Sequence, residues 1–191
     1  LVTACNYPAE EGIVVHTKSE RVIKARKLII ELLLSRCSKA KVIQELAEEY
    51  GVKEPRFGEG DEDCILCGLC VRVCSEIVGA NAISFTSRGI DREVSTPFHI
   101  ASEECIGCGA CAYLCPTDAI KLEDIKDTRK IERWDTSRPL QRCSICGNYF
   151  APVAQLEYIK NRLNLPEEIF QNCPNCRRKS YAEQVAALGH I

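Results

Sequence analysis

Eight of the fourteen cysteines in this 191-residue chain form two copies of one pattern, Cys-x2-Cys-x2-Cys-x3-Cys. The copies consist of Cys64, Cys67, Cys70 and Cys74, and of Cys105, Cys108, Cys111 and Cys115. Each copy is followed by an Ala-Ile pair, at 82–83 and 119–120, which can begin a strand. Thiols three residues apart on a turn point toward one place, which suits metal ligation better than a disulfide framework. The repeat therefore predicts two loop–helix–strand units related by two-fold pseudo-symmetry.

At this spacing, three cysteines bind one 4Fe–4S cluster and the fourth reaches the other cluster. The predicted ligands of the first cluster are Cys64, Cys67, Cys70 and Cys115, and those of the second are Cys105, Cys108, Cys111 and Cys74. Glycines such as Gly68 and Gly109 would let backbone N–H groups approach the sulfurs. Pro116 ends the second loop, and Ser75 stands at the matching place in the first, a departure that affects only the local turn. A structural zinc site is the alternative, and two intact four-cysteine runs count against it.

Two more cysteine pairs follow, Cys143-x2-Cys146 and Cys173-Pro-x-Cys176, with 26 residues between them. Four thiolates on two such turns suit a closed, tetrahedral zinc site. An iron site of the rubredoxin type uses the same ligands, so iron remains open; zinc is favoured because the site would brace a long insert. Helices are predicted in that insert over 153–163 and 166–170. The basic run at 177–179 is interpreted as a solvated turn rather than a nucleic-acid contact.

The predicted fold is α+β, with three successive parts. Helices are expected over 1–52, where Thr17 and Glu20 would form a capping box before a helix ending near Arg36. Ser38 would cap a second helix, and Gly51 stands at the C′ position of that helix. A dicluster ferredoxin domain of the bacterial type is predicted over 61–124, with strands at 82–86 and 92–96. A zinc-ribbon-like domain with a helical insert is predicted over 140–180, and linkers over 54–63 and 121–138.

Composition narrows the possible partners. The formal net charge of −2 and the pI near 6.0 argue against a nucleic-acid partner bound by counterion release. The most apolar stretch, 28–34, is short and contains Glu31, so direct membrane insertion is not expected. Reduced thiols together with iron–sulfur clusters imply a cytoplasmic protein. Because the chain has no Met and begins at Leu1, we expect its N-terminus to be incomplete.

Catalytic patterns are not recognised in the sequence. No nucleophile stands with a base, the glycines form no phosphate-binding loop, and the three histidines, His16, His99 and His190, are isolated. The expected role is therefore a non-catalytic, electron-carrying component, with any reduction of NAD left to a flavin-bearing partner.

The N-terminal segments add a family resemblance. The segment from Leu1 to Gly12 (Leu-Val-Thr-Ala-Cys-Asn-Tyr-Pro-Ala-Glu-Glu-Gly), then Val15-His16-Thr17 and Arg21-x4-Arg26-Lys27, precede the cysteine repeat. Together they resemble the electron-transfer subunits of NADH-linked hydrogenases and formate dehydrogenases, and the large iron–sulfur subunit of complex I. The resemblance covers residues 1 to about 124.

That resemblance implies further sites. Residues 1–52 would begin with the tail of a plant-type ferredoxin domain, in which Cys5 is the last ligand of a 2Fe–2S cluster whose other ligands lie upstream. Relatives with a His/Cys3-ligated 4Fe–4S cluster carry more cysteines after the long helix, whereas here Cys37 stands alone. We therefore expect no such cluster and interpret Cys37 as a buried thiol.

The resulting functional hypothesis is a relay subunit. It would pass electrons through two 4Fe–4S clusters between a flavin/NAD(H)- or ferredoxin-linked partner and a catalytic subunit of the hydrogenase or formate dehydrogenase type. A free-standing soluble dicluster ferredoxin is the alternative. A cluster-sensing regulator that binds DNA through the ribbon would need a basic recognition surface, which the charge does not favour.

Overall fold

The computed structural model describes residues 1–53, 56–58 and 60–188, with the backbone alone at 188. The predicted linker 54–63 therefore lies partly outside the described residues, and His190 lies outside them altogether. The chain divides into two compact units, Leu1–Ile65 and Leu66–Ile191. None of the helices in the described parts of the chain is long and apolar enough to cross a lipid bilayer.

The first unit is built on two helices, α1 (Glu20–Cys37) and α2 (Lys41–Glu49). They pack through buried side chains spaced four apart on each helix, as amphipathic helices do. These side chains are Ile30 and Leu34 on α1, and Ile43 and Ala47 on α2. The two helices predicted for this part of the sequence are therefore confirmed, whereas residues 1–19, which the prediction included, are not helical.

The helix caps differ from the prediction. Ser19, and not Thr17, precedes α1, and no side chain caps that helix. The Ser38 hydroxyl donates to the carbonyl of Gly60 (2.9 Å), so it is not available to cap α2, which begins after Ala40. The hydrogen bond from Ser38 to Gly60 thus takes the place of the predicted cap of α2.

The end of α2 follows the prediction. Gly51 has φ +66°, a conformation that glycine adopts without steric cost. Its N–H donates to the carbonyl of Glu48 (3.0 Å), and the N–H of Val52 donates to the carbonyl of Ala47 (2.8 Å). These two bonds form a Schellman motif and satisfy carbonyls that the helix end leaves open. Nearby, Cys37 is 0% exposed, which confirms the prediction of a buried thiol.

The second unit contains two short helices, one in each copy of the cysteine repeat, which carry predicted ligands. Gly68 (φ +74°) precedes α3 (Leu69–Arg72), and Gly109 (φ +78°) precedes α4 (Ala110–Tyr113). The copies then diverge, because α3 continues as a π-helical turn over Val73–Val78 whereas α4 stops. Proline lacks an N–H and disfavours helix in the residue before it, so Pro116 ends the second copy where Ser75 lets the first continue.

Two antiparallel sheets complete the fold. Strands β1 (Ser84–Thr86) and β2 (Glu93–Ser95) pair with Phe85 opposite Val94, as predicted but over fewer residues. A four-stranded meander has the order β3-β4-β5-β6, comprising Leu122–Ile125, Thr128–Ile131, Thr136–Arg142 and Tyr149–Pro152. The predicted linker over 121–138 is therefore wrong: it contains β3, β4 and the start of β5.

A shared core joins the repeat to this meander. Its buried side chains come from the ligand helices, the strand starts and the β4–β5 connection. They include Ala82, Ile83, Ile120, Ile131 and Trp134. In the C-terminal part, α5 (Val153–Leu163) has its predicted bounds, and the second predicted helix is a 3-10 turn over Glu167–Phe170. A final helix, α6 (Pro174–Leu188), was not predicted.

Candidate metal centres

A cavity lies at the second ligand loop, which carries the predicted cysteine ligands of the second copy. All four predicted ligands of the second cluster line this cavity: Cys74, Cys105, Cys108 and Cys111. The rest of its lining is glycine backbone, apolar side chains such as Ile83 and Ile131, and the indole of Trp134. The first-copy cysteine thus lies with three cysteines of the second copy, which is the crossing expected from the spacing. The donor set and the apolar walls fit a 4Fe–4S cluster.

Hydrogen-bond donors are aimed at these sulfurs. The indole Nε1 of Trp134 donates to Cys111 Sγ (3.4 Å), and the backbone N–H of Ala82 donates to Cys74 Sγ (3.4 Å). Burial raises the pKa of the Cys111 thiol to about 11, and the Trp134 N–H acts in the opposite direction because it stabilises the thiolate. Burial likewise raises the pKa of Cys108, which the Ala110 N–H opposes. Donors near sulfur are the groups that tune iron–sulfur clusters.

Arginine side chains from the meander hold the backbone of the second loop. From β5, Arg138 Nε donates to the carbonyl of Cys105 (2.7 Å), and its Nη2 donates to the carbonyls of Ser102 (2.9 Å) and Glu103 (3.1 Å). From β4, Arg129 Nη1 donates to the carbonyl of Gly107 (3.3 Å). Bonds from a charged donor are stronger than neutral ones, so the sheet braces the loop that carries the ligands.

Close packing explains the glycine at position 107. A Cβ placed there would lie 3.1 Å from Arg138 Cγ and 3.2 Å from Pro152 Cγ, and its φ is +69°. Both the conformation and the space favour glycine. At Gly107 the close approach is to side chains of the meander, and the predicted role of the loop glycines in bringing N–H groups to the sulfurs stays a prediction.

The ligands predicted for the first cluster are divided between the two compact units. Cys64 lies near the end of the first unit, where its carbonyl accepts from Arg36 Nε (2.7 Å). Cys67 is exposed, Cys70 is buried in the core of the second unit, and Cys115 Sγ lies 3.6 Å from the hydroxyl of Thr117. The assignment of these four as one ligand set stays a prediction. So does a 2Fe–2S role for Cys5, an exposed thiol of the first unit.

The last four cysteines form one compact site. The Sγ atoms of Cys143, Cys146, Cys173 and Cys176 all lie within 4.8 Å of one another. For tetrahedral zinc with Zn–S bonds of about 2.3 Å, neighbouring sulfurs would be about 3.8 Å apart. The observed distance between Cys146 Sγ and Cys173 Sγ is 3.9 Å. The donor set therefore fits a single tetrahedral ion, and an Fe(Cys)4 centre has the same ligands.

Turn geometry favours the thiolate form of one of these cysteines, Cys143. The backbone N–H of Cys173 donates to Cys143 Sγ (3.2 Å). Such backbone donors, above all the N–H of Cys146 and then that of Cys173, lower the pKa of Cys143 to about 6. A ligand thiol that ionises readily favours metal binding, because the metal takes the thiolate form. Gly147, with φ +75°, closes the first turn by donating to the carbonyl of Cys143 (3.0 Å).

Sequence reasoning missed the side chains that support the second loop. Trp134 lies 23 residues beyond Cys111, and Arg138 lies 33 beyond Cys105. Both fall in the stretch that was predicted to be a linker. The only available signal was the spacing of Ile131 and Trp134, two large apolar residues three apart in a charged segment.

One part of the chain matches a known family of iron–sulfur domains. Residues 63–119 match the family of 4Fe-4S dicluster domains, and the match includes both copies of the cysteine pattern. The chain is 30% identical over 147 residues to the NADP-reducing hydrogenase subunit HndD of Solidesulfovibrio fructosivorans, covering 63% of this chain and 25% of that protein.

Two other relatives belong to NADH oxidoreductases. The mitochondrial NADH-ubiquinone oxidoreductase 78 kDa subunit of Candida albicans is 30% identical over 123 residues, which are 50% of this chain and 17% of that protein. An NADH-quinone oxidoreductase subunit of Rhizobium meliloti is 29% identical over 174 residues, 77% of this chain and 20% of that protein. The chain spans a quarter or less of these relatives. It therefore contains a 4Fe–4S dicluster domain and is a relative of iron–sulfur electron-transfer subunits of NAD(P)(H)-linked oxidoreductases.

Proposed function

We propose that this chain is an electron-transfer subunit that binds two 4Fe–4S clusters, one in each predicted set of cysteines, and one zinc ion at the C-terminal site. The observation that carries the proposal is the cavity lined by Cys74, Cys105, Cys108 and Cys111. The match to a dicluster domain over 63–119 supports the count of two clusters.

A bound 4Fe–4S cluster supplies reversible one-electron chemistry. The residues of the chain bind it, shield it and adjust its environment. Ile83 and Ile131 line the cavity with apolar surface and exclude water, and Trp134 and Ala82 place N–H donors at ligand sulfurs. The four C-terminal thiols hold their ion in a closed site, which suits structural zinc rather than redox or hydrolytic work.

The partners in this proposal follow from the family resemblance of the N-terminal segments. The relatives' names, which include a hydrogenase subunit and subunits of NADH oxidoreductases, support it. One partner would be a flavin/NAD(H)- or ferredoxin-linked protein, and the other a catalytic subunit of the hydrogenase or formate dehydrogenase type. In a longer protein, Cys5 would be the last ligand of a 2Fe–2S cluster. A reducing, cytoplasmic setting suits the thiols, and neither nucleic acid nor direct membrane insertion is part of the proposal.

The test is metal and sulfide analysis of protein purified without oxygen, together with the EPR spectrum of the reduced form. We expect about eight iron, about eight sulfide and about one zinc per chain, with a spectrum of two interacting spins. About four iron or fewer, with additional zinc, would show that one cysteine run is structural and would contradict the relay role.

Single substitutions test which cysteines bind which of the two clusters. Cys111→Ser and Cys67→Ser should each remove about four iron, because each takes a ligand from a different predicted cluster. Cys37→Ala is the matched control, since Cys37 is a buried thiol that belongs to neither set, and it should keep about eight iron. About eight iron remaining in Cys111→Ser or in Cys67→Ser would refute the assignment of that cysteine.

Co-purification with a partner protein distinguishes a relay subunit from a free-standing ferredoxin. A relay subunit, tagged at its native locus and purified anaerobically, should bring a flavin-containing protein with it, and NADH should reduce its clusters in that complex. Purification of the chain alone, with clusters that only an added ferredoxin reductase reduces, would favour the free-standing alternative.

A further inference from the structure

We propose that Trp134 raises the reduction potential of the cluster bound by Cys105, Cys108, Cys111 and Cys74, through the hydrogen bond from its indole N–H to Cys111 Sγ. This inference rests on the proposed function, because it requires a cluster at those cysteines. It assigns a role to a residue 15 positions beyond the end of the matched dicluster domain.

The geometry makes the donor unambiguous. Trp134 Nε1 lies 3.4 Å from Cys111 Sγ, and an indole nitrogen can only donate a hydrogen bond. Trp134 is 2% exposed, so its N–H donates to the sulfur and not to water. A buried N–H without an acceptor is costly, and the sulfur therefore satisfies a group that would otherwise destabilise the core.

Trp134 is held in place by contacts of its backbone and by burial in the core. It ends a 3-10 turn over Glu132–Trp134 that connects β4 to β5, and the pairing of Ile131 with Thr136 closes this turn. The Thr136 hydroxyl, itself buried, donates to the carbonyl of Trp134 (3.2 Å). A donor fixed by such surroundings keeps its direction without reorganising when the charge of its acceptor changes.

Electrostatics gives the sign of the effect. Reduction adds one electron, and hence one negative charge, without making or breaking a bond to Cys111. The walls of the cavity are apolar side chains, glycine backbone and thiols, so solvation of that added charge is weak. An N–H donor at the sulfur stabilises the more negative, reduced form more than the oxidised form. Removing the donor should therefore lower the potential.

The experiment compares the holoprotein with its Trp134→Phe variant, which keeps a large aromatic ring and loses the N–H. Dithionite supplies the electrons, one per cluster, in an anaerobic titration followed by EPR. We expect one of the two potentials to fall, with the reduction equilibrium constant about threefold to tenfold smaller, where tenfold corresponds to about 59 mV. The other potential, that of the cluster at the first set, serves as an internal reference.

The exposed aromatic Tyr113 on α4 provides the control. Tyr113→Phe also removes one polar hydrogen from a ring near the second loop, and it should shift neither potential. Unchanged potentials in Trp134→Phe, with full iron content, would overturn the inference and leave the proposed function intact. A wild-type protein without iron at the second set would instead overturn the proposed function.

A second measurement tests the hydrogen bond in the wild-type protein, so that it does not depend on whether Trp134→Phe binds its cluster. Trp134 is the only tryptophan in the chain, so growth with indole-15N tryptophan labels a single nitrogen. Pulsed EPR of the reduced wild-type protein should then detect hyperfine coupling to this nitrogen through the N–H···S contact. Absence of that coupling in protein with about eight iron would refute the hydrogen bond itself.

Discussion

Arg138 should determine how tightly the second ligand loop is closed. Its guanidinium, projecting from β5, donates to the backbone carbonyls of Ser102, Glu103 and Cys105 at 2.7–3.1 Å. Replacing it with methionine keeps an unbranched apolar stem and removes all three bonds. The loop would then be held by its other contacts, including the weaker bond from Arg129 to the carbonyl of Gly107 (3.3 Å).

The magnitude follows from the number and kind of bonds lost. A hydrogen bond to a charged group contributes about 1.5–3 kcal/mol, and partial exposure of this guanidinium places each bond at the low end. Because one nitrogen serves two carbonyls, the total is about 2–4 kcal/mol rather than the sum of three full bonds. At the lower value, the rate at which the loop opens would rise about thirtyfold.

Iron release measures that opening. Anaerobic holoprotein is mixed with an excess of an iron chelator, and the loss of visible absorbance is followed over time. In Arg138→Met we expect about half of the iron to be released faster, while the other half leaves at the wild-type rate. Lys130→Met, an exposed cation on β4 that is replaced in the same way, is the matched control and should release iron like the wild type. Wild-type kinetics in Arg138→Met, or equal acceleration of both halves, would refute the argument.

Three further predictions concern single positions. Gly109→Ala should destabilise the protein more than Gly89→Ala. At both positions the new alanine would adopt a left-handed backbone conformation, at a cost of about 1–2 kcal/mol. Only at Gly109 would the new Cβ also lie 2.6 Å from Leu122 Cδ1, which is too close. Equal chelator-release rates in the two variants would argue against this difference. Cys176→Ser should reduce zinc from about one to near zero per chain while about eight iron remain, and a loss of iron in its place would identify an iron centre. Thr86→Val should leave stability unchanged or raise it by about 1 kcal/mol, because the buried Thr86 hydroxyl has no hydrogen-bond partner among the described residues; a clear decrease in melting temperature would contradict this.

Local patterns allowed some elements to be predicted, and others depended on distant contacts. The bounds of α5 and the C′ glycine of α2 follow from side-chain periodicity and backbone conformation within a few residues. The caps did not follow, because the Ser38 hydroxyl found the carbonyl of Gly60, 22 residues away in sequence. A pattern of local hydrogen-bonding residues cannot show that a more distant acceptor will compete.

The meander illustrates a second limit. Strands β3 and β4 carry charges at Glu123, Asp124, Arg129 and Lys130, which made this stretch resemble a solvated linker. Pairing places Arg129 beside Asp124, and the two side chains form an ion pair across the strands (2.7 Å). Cross-strand partners are set by register, which the composition of a segment does not reveal.

The candidate sites show the same contrast between local patterns and distant contacts. The cysteine spacing identified the sulfurs that line the cavity at the second ligand loop. This was possible because the ligands of one site are close together in sequence or repeat at a fixed distance. The indole that donates to one of those sulfurs comes from a connection between strands that no motif describes. Identity of ligands is thus encoded locally, whereas their electrostatic surroundings depend on the tertiary fold.

Strand β5 has a consequence for the order in which cofactors are inserted. It carries Arg138, which braces the second loop, and it ends at Arg142, directly before the first cysteine of the C-terminal site. Metal binding at that site contributes to folding wherever the ligands belong to the folded structure. Under the proposed function, a newly made chain that takes up zinc first would thus present its predicted iron ligands on a loop that is already braced. A chain starved of zinc would offer the same thiols on a less ordered loop, and would mature more slowly even with iron in excess.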